Sequence, residues 1–125
     1  MLDLSKSLPL IILLFIAAAC GKPVPALDNF DQQVWKRDHK ACSGKREAMA
    51  ASLEAQRDKM LALDEMAIVS LLGSPDQNEL YKRNQKFYTY FLQAGPGCAG
   101  ATAQVPKKLT IRFNAMGLAK EIIFE

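Results

Sequence analysis

Histidine is nearly absent: His39 is the single one in 125 residues. Its neighbours Asp38 and Cys42 do not complete the four-ligand set of a structural zinc site, so it reads as an exposed polar residue. No G-x-S-x-G stretch is present, which removes the nucleophile elbow of the serine hydrolases. Gly95, Gly97 and Gly100 are interrupted by proline and cysteine and introduce no helix, so they do not form a phosphate-cradling loop. No C-x-x-C pair is there to depress a thiol pKa for redox work. Charge of one sign is also scarce. A net charge of +3, spread along the chain, is too small and too scattered for nucleic-acid binding. Asp64 and Glu65 are adjacent carboxylates, but capping and the helix dipole account for them. No catalytic residue, cofactor or metal is expected, and a non-enzymatic protein follows.

What is present begins at the N-terminus. Leu8 to Ala19 is apolar, ends in three alanines and leads into Cys20-Gly21. The run can enter a membrane but falls short of the roughly 20 apolar residues of a comfortable span. Small residues let a peptidase approach the backbone, and the thiol can take a lipid. Ala17-Ala18-Ala19-Cys20 resembles a lipobox, with Ala17 where a bulkier residue is usual. We read residues 1–19 as a lipoprotein signal peptide and Cys20 as the lipidated residue. The alternatives are an ordinary secretory leader or a retained N-terminal helix. Cys20 lacks a following aspartate. In enteric bacteria that implies the outer membrane, with the domain facing the periplasm.

The cysteine count agrees with export. Acylating Cys20 leaves Cys42 and Cys98, which an oxidising periplasm would join. Two separate buried thiols are the alternative. Residues 20–29 read as the lipidated cysteine and a flexible tether. Pro23 and Pro25 favour an extended chain at ~3.1 Å per residue, which would lift the domain ~20–30 Å from the bilayer.

Residues 30–125 read as one domain. Phe30, Val34 and Trp35 suggest a short helical or irregular segment that packs Trp35 and is pinned by Cys42. A long helix is expected over residues 45–62, its apolar face being Ala48, Met49, Leu53, Gln56 and Met60, with Arg46 among the solvent positions. A second helix has Asp64 as N-cap, Leu63 and Ile68 as a hydrophobic staple, and Gly73 and Pro75 as its stop. Strands follow at 86–92, 108–113 and 118–124, with a loop at 93–106 and a turn at Asn114-Ala115-Met116-Gly117. Lys120 breaks the alternation of the last strand. The expected architecture is α+β in two layers: two helices on a three-stranded antiparallel sheet, ααβββ, after a cleaved signal peptide.

A patch of tyrosines and basic residues suggests a protein partner. Tyr81, Lys82, Arg83, Lys86, Tyr88 and Tyr90 lie close together, and tyrosine and arginine are favoured in interfaces. If the helices cover Phe87 and Phe91, then Tyr88 and Tyr90 lie on the other face beside Thr110 and Arg112. Tyr81, Arg83, Tyr88, Tyr90 and Arg112 are therefore the candidate partner-binding residues. The competing reading makes Tyr88 and Tyr90 core residues.

The run Ile68-Val69-Ser70-Leu71-Leu72-Gly73-Ser74-Pro75-Asp76, then Phe87-Tyr88-Thr89-Tyr90, then Leu109 to Gly117 and a final strand resembles the SmpA/BamE family. The fold is shared more loosely by the repeats of the β-lactamase inhibitory proteins. The resemblance spans roughly residues 45–125. It implies a small outer-membrane lipoprotein that binds envelope partners and lipid rather than catalysing a reaction. The inhibitor side of the resemblance implies the alternative, an exported inhibitor or ligand-sequestering protein. No partner-binding residue carries over by position.

Overall fold

A computed structural model describes residues 22–101 and 103–125. The segment read as a signal peptide, residues 1–19, and Cys20 lie outside the described residues. The domain is α+β. Three α-helices, α1 (Gln32–Arg37), α2 (Lys45–Ala55) and α3 (Glu65–Leu72), pack on one face of an antiparallel sheet of four strands. The strands are β1 (Gln77–Tyr81), β2 (Gln85–Phe91), β3 (Lys108–Phe113) and β4 (Ala119–Phe124), ordered β1-β2-β3-β4.

The two-helix, three-strand expectation is corrected on both counts. β1 escapes sequence reading because all five of its residues are exposed, so no apolar alternation marks it. It is an edge strand, paired only with β2. The added helix, α1, is capped by Asp31, whose carboxylate accepts from the backbone N–H groups of Gln33 and Val34 at 3.0 and 3.1 Å.

The expected helix over 45–62 ends early. α2 stops at Ala55, and a 3-10 turn, Arg57–Met60, follows. The break lets the chain reach the sheet. Ala62 N–H donates to Ala119 C=O and Ala119 N–H to Leu63 C=O, both at 2.8 Å. Ala62 takes φ of 66° to make this pairing. The second predicted helix, α3, has the expected punctuation. Asp64 accepts from Ala67 N–H at 2.8 Å, and Gly73 ends the helix at φ 80°.

Lys120 is a β-bulge. Arg112 pairs with Glu121 but Phe113 pairs with Ala119, leaving Lys120 as the extra residue. The bulge turns both Ala119 and Ile122 into the core while Lys120 and Glu121 face solvent. A plain alternating strand would bury Lys120 instead.

Residues 22–29 are not a free tether. They run along the domain as a strap. Lys22 Nζ donates to Leu61 C=O at 2.7 Å. Asp28 N–H donates to Gln56 Oε1 at 2.7 Å, and Asp28 C=O accepts from Ser52 Oγ and Gln56 Nε2, both at 2.8 Å. Leu27 packs against the core. The prolines do extend the segment, but the side chains of α2 capture it.

Candidate functional site

β-Strand pleating sorts the candidate residues onto two faces. The helix-facing side carries Tyr88 and Tyr90 from β2, Leu109, Ile111 and Phe113 from β3, and Ile122 from β4, all buried, with Leu92 buried just after β2. The opposite side carries Tyr81, Gln85, Phe87, Thr89, Phe91, Lys108, Thr110, Arg112, Glu121 and Ile123 by register. The placement of Tyr88 and Tyr90 on an exposed face is thus corrected. They are core residues, and Phe87 and Phe91 lie outside. Alternation alone gives the two faces of β2 without saying which one the helices cover.

The hydroxyls explain why tyrosines occupy these core positions. Tyr90 donates to Gly73 C=O at 2.8 Å, and the Trp35 indole donates to Leu72 C=O at 3.0 Å. These two buried aromatics satisfy carbonyls at the C-terminal end of α3, which have no partner within the helix. Tyr88 donates to Glu65 Oε1 at 2.9 Å, and Lys86 Nζ lies 2.9 Å from the same oxygen. Burial, then the hydrogen bond and charge of Glu65, push the Tyr88 phenol up to about 12. Burial likewise pushes Tyr90 upward. Neither phenol is poised to ionise near neutral pH.

No helix covers the outer side, although Thr89 on it is buried and Phe87 and Phe91 are half-buried, Phe91 beside the 93–106 loop. Tyr81 is 57% exposed and meets Phe87 edge-on, ring centroids 5.7 Å apart. Arg112 bridges β3 to its neighbours: Nε donates to Glu121 Oε1 at 2.8 Å and Nη1 to Gln85 Oε1 at 3.3 Å. Arg83 occupies the turn between β1 and β2 at φ 61° and is exposed. Leu80 points to the helix side yet is 70% exposed, because the helices stop short of β1. Of the five candidate partner residues, Tyr81 and Arg112 lie on this outer side by register, Arg83 sits in the exposed β1–β2 turn, and Tyr88 and Tyr90 are in the core.

A second cluster was not anticipated. Arg46 is 1% exposed. Its Nη1 lies 2.7 Å from Asp76 Oδ2, its Nε donates to Trp35 C=O at 3.0 Å, and its Cζ stands 4.9 Å over the Trp35 ring centroid. Asp76 also accepts from Lys40 N–H at 3.1 Å and Phe91 N–H at 2.8 Å. Asp38 accepts from Ser43 N–H at 2.7 Å and Arg46 N–H at 2.9 Å, anchoring the start of α2. Beside this network, Cys42 and Cys98 form a disulfide. It ties the 93–106 loop to the turn at Lys40–Ala41, where both residues have positive φ. His39 is exposed on the same turn. Among the described residues, no group of three or more His, Cys, Asp or Glu side chains is placed to hold a metal.

Asp38 predicts an acid sensitivity. Burial works to raise its pKa, but the backbone N–H groups of Arg46 and Ser43 outweigh it, and the net shift is downward. A carboxylate lowered by folding contributes stability at pH values above its unfolded pKa of ~3.9, and that contribution is lost as pH falls through the folded value. The urea midpoint should therefore hold steady from neutral pH down to about pH 5 and decline below about pH 4. Asp38→Asn should be less stable at neutral pH and show a shallower acid decline. An unchanged acid profile in the variant would remove Asp38 from the explanation.

The chain matches no family model, no curated protein and no solved structure.

Proposed function

We propose that this chain is an exported lipoprotein, anchored through Cys20 to the outer membrane and facing the periplasm, that acts as a non-catalytic binding or scaffold module in cell-envelope assembly, in the manner of BamE-like proteins. The observation that carries this reading is the outer sheet face, where Tyr81 meets Phe87 edge-on beside Arg112 with no helix over them. An exposed tyrosine beside a half-buried phenylalanine and arginine on a sheet suits recognition of a protein surface. The Cys42–Cys98 disulfide supports an oxidising compartment. The fourth strand departs from the three-strand pattern of the resemblance, and β1 enlarges the surface offered.

Photo-crosslinking in intact cells tests the binding face. Probes replacing Tyr81, Arg83 and Arg112 should trap the same envelope protein, whereas probes at exposed Glu54 and Lys59 should not. Equal or absent adducts at both sets of positions would reject the face. Cys20→Ser should release the protein from the membrane fraction, and retention there would reject the lipid anchor.

A further inference from the structure

We propose that the hollow beside the Cys42–Cys98 disulfide binds a carboxylate joined to a small apolar group. The hollow encloses about 250 Å³. Phe91, Pro96 and Pro106 give it apolar walls, and Gly95 and Gly97 line it with backbone. Its charged lining residues are Lys40 and Asp76.

The walls are held in place without a ligand. The disulfide ties Cys98 to the residue that follows the Lys40–Ala41 turn. Leu92 N–H donates to Lys107 C=O and Cys98 N–H to Gly95 C=O, both at 2.9 Å. Gly95 and Pro106 close the loop so tightly that a Cβ on Gly95 would stand 2.6 Å from the proline ring. Only glycine allows that approach. A ligand entering the hollow therefore has little loop ordering to offset.

The surrounding charges favour an anion. Asp76 is already engaged: Oδ1 accepts from Lys40 N–H, and Oδ2 from Arg46 Nη1 and Phe91 N–H. Its charge is offset by Arg46 at 2.7 Å. Asp38, two residues before Lys40, is engaged by the N–H groups of Ser43 and Arg46. Among the described residues, Lys40 has no ion-pair partner. Its side chain follows the glycine wall, because a Cβ on Gly97 would lie 3.7 Å from Lys40 Cδ and 3.9 Å from Nζ. The N–H groups of Gly95 and Gly97 also lack an acceptor among the described residues. One ammonium beside spare backbone donors suits a monoanion. A phosphate would more usually be met by an arginine fork. The apolar walls then select what the carboxylate is attached to. A free apolar acid and the acidic side chain of a protein segment both carry this chemistry.

Amide NMR of the intact, isotope-labelled protein in detergent micelles tests the site with one probe for each source. Hydrocinnamate represents the free acid, and a blocked tripeptide with glutamate between two phenylalanines represents the protein segment. Saturable shifts confined to the amides of Lys40, Gly95, Gly97 and Cys98 are expected, and the tighter probe names the source. Hydrocinnamamide, which has the same shape without the charge, should bind roughly tenfold more weakly than hydrocinnamate, the loss expected for a charge-assisted hydrogen bond. Lys40→Met should weaken the tighter probe to a similar degree. Gly97→Leu should abolish its binding by filling the hollow. The added Cβ meets only ordinary contacts there, and unchanged core resonances would check that the variant folds. No saturable shift with either probe, equal binding of the acid and its amide, or full affinity in Lys40→Met would overturn the carboxylate site.

Discussion

Arg46→Met is expected to lower the unfolding free energy by about 3–5 kcal/mol, the usual cost of breaking a buried ion pair by deleting one partner. For a domain of this size that corresponds to a fall in Tm of roughly 15–30 °C. Methionine fills much of the volume, so the loss is electrostatic. The Asp76 carboxylate keeps its backbone donors, Lys40 N–H and Phe91 N–H, but loses the cation that offsets its burial. Trp35 C=O loses its side-chain donor and the indole ring loses the guanidinium above it. Arg46→Lys should recover only part of the loss, because an ammonium cannot reach Asp76 and Trp35 C=O as a planar fork. Adding Asp76→Asn to Arg46→Met should recover only part of the loss, because it removes the stranded charge but sets an amide NH2 against Lys40 N–H or Phe91 N–H. Thermal and urea denaturation read all three. A Tm for Arg46→Met within about 3 °C of the parent would mean the pair contributes nothing net.

The second large effect belongs to the disulfide. Cys42 and Cys98 are 56 residues apart in sequence. Closing a loop of that length restricts the unfolded chain by about 4 kcal/mol in the chain-entropy account. Replacing both cysteines by serine, or reducing the protein, should lower the urea midpoint correspondingly and leave the 93–106 loop open to protease before the rest of the domain. No change in midpoint on reduction would show that the native contacts already hold the loop. The two effects should not add simply. Cys42 follows the Lys40–Ala41 turn that is tied to Asp76, so the disulfide and Arg46 share a partner. Together they approach the 5–15 kcal/mol that typically separates a folded domain from its unfolded chain.

Much of the architecture is legible from local chemistry. Asp64 before a run of apolar residues and Gly73-Ser74-Pro75 after it define α3 at both ends. Strict alternation in Lys108–Phe113 defines β3 and its buried side. One misreading comes from a polar residue doing an apolar residue's job. The inward face of α2 runs Arg46, Met49, Ala50, Leu53, the spacing of one helical stripe. Its first position is a charged residue, which pattern reading assigns to solvent, and only Asp76 and Trp35, distant in sequence, make that burial tolerable. At the other extreme, β1 shows no pattern because neither of its faces is covered. The inversion of Tyr88 and Tyr90 has a different origin. Phe87 and Phe91 are more apolar, yet only a hydroxyl can meet Gly73 C=O and Glu65, so tyrosine is selected for the interior. The strap reads as free in the sequence because Gln56, a residue of ordinary helical character, gives no sign that its amide clasps Asp28.

The late-forming covalent link also bears on timing. Before oxidation, a newly made chain lacks the restraint between its forty-second and ninety-eighth residues and so spends more time unravelled. For the export proposed above, such looseness would suit threading through a narrow translocation pore. Locking would then occur only on the far side, in an oxidising compartment, and the crossing would become hard to reverse.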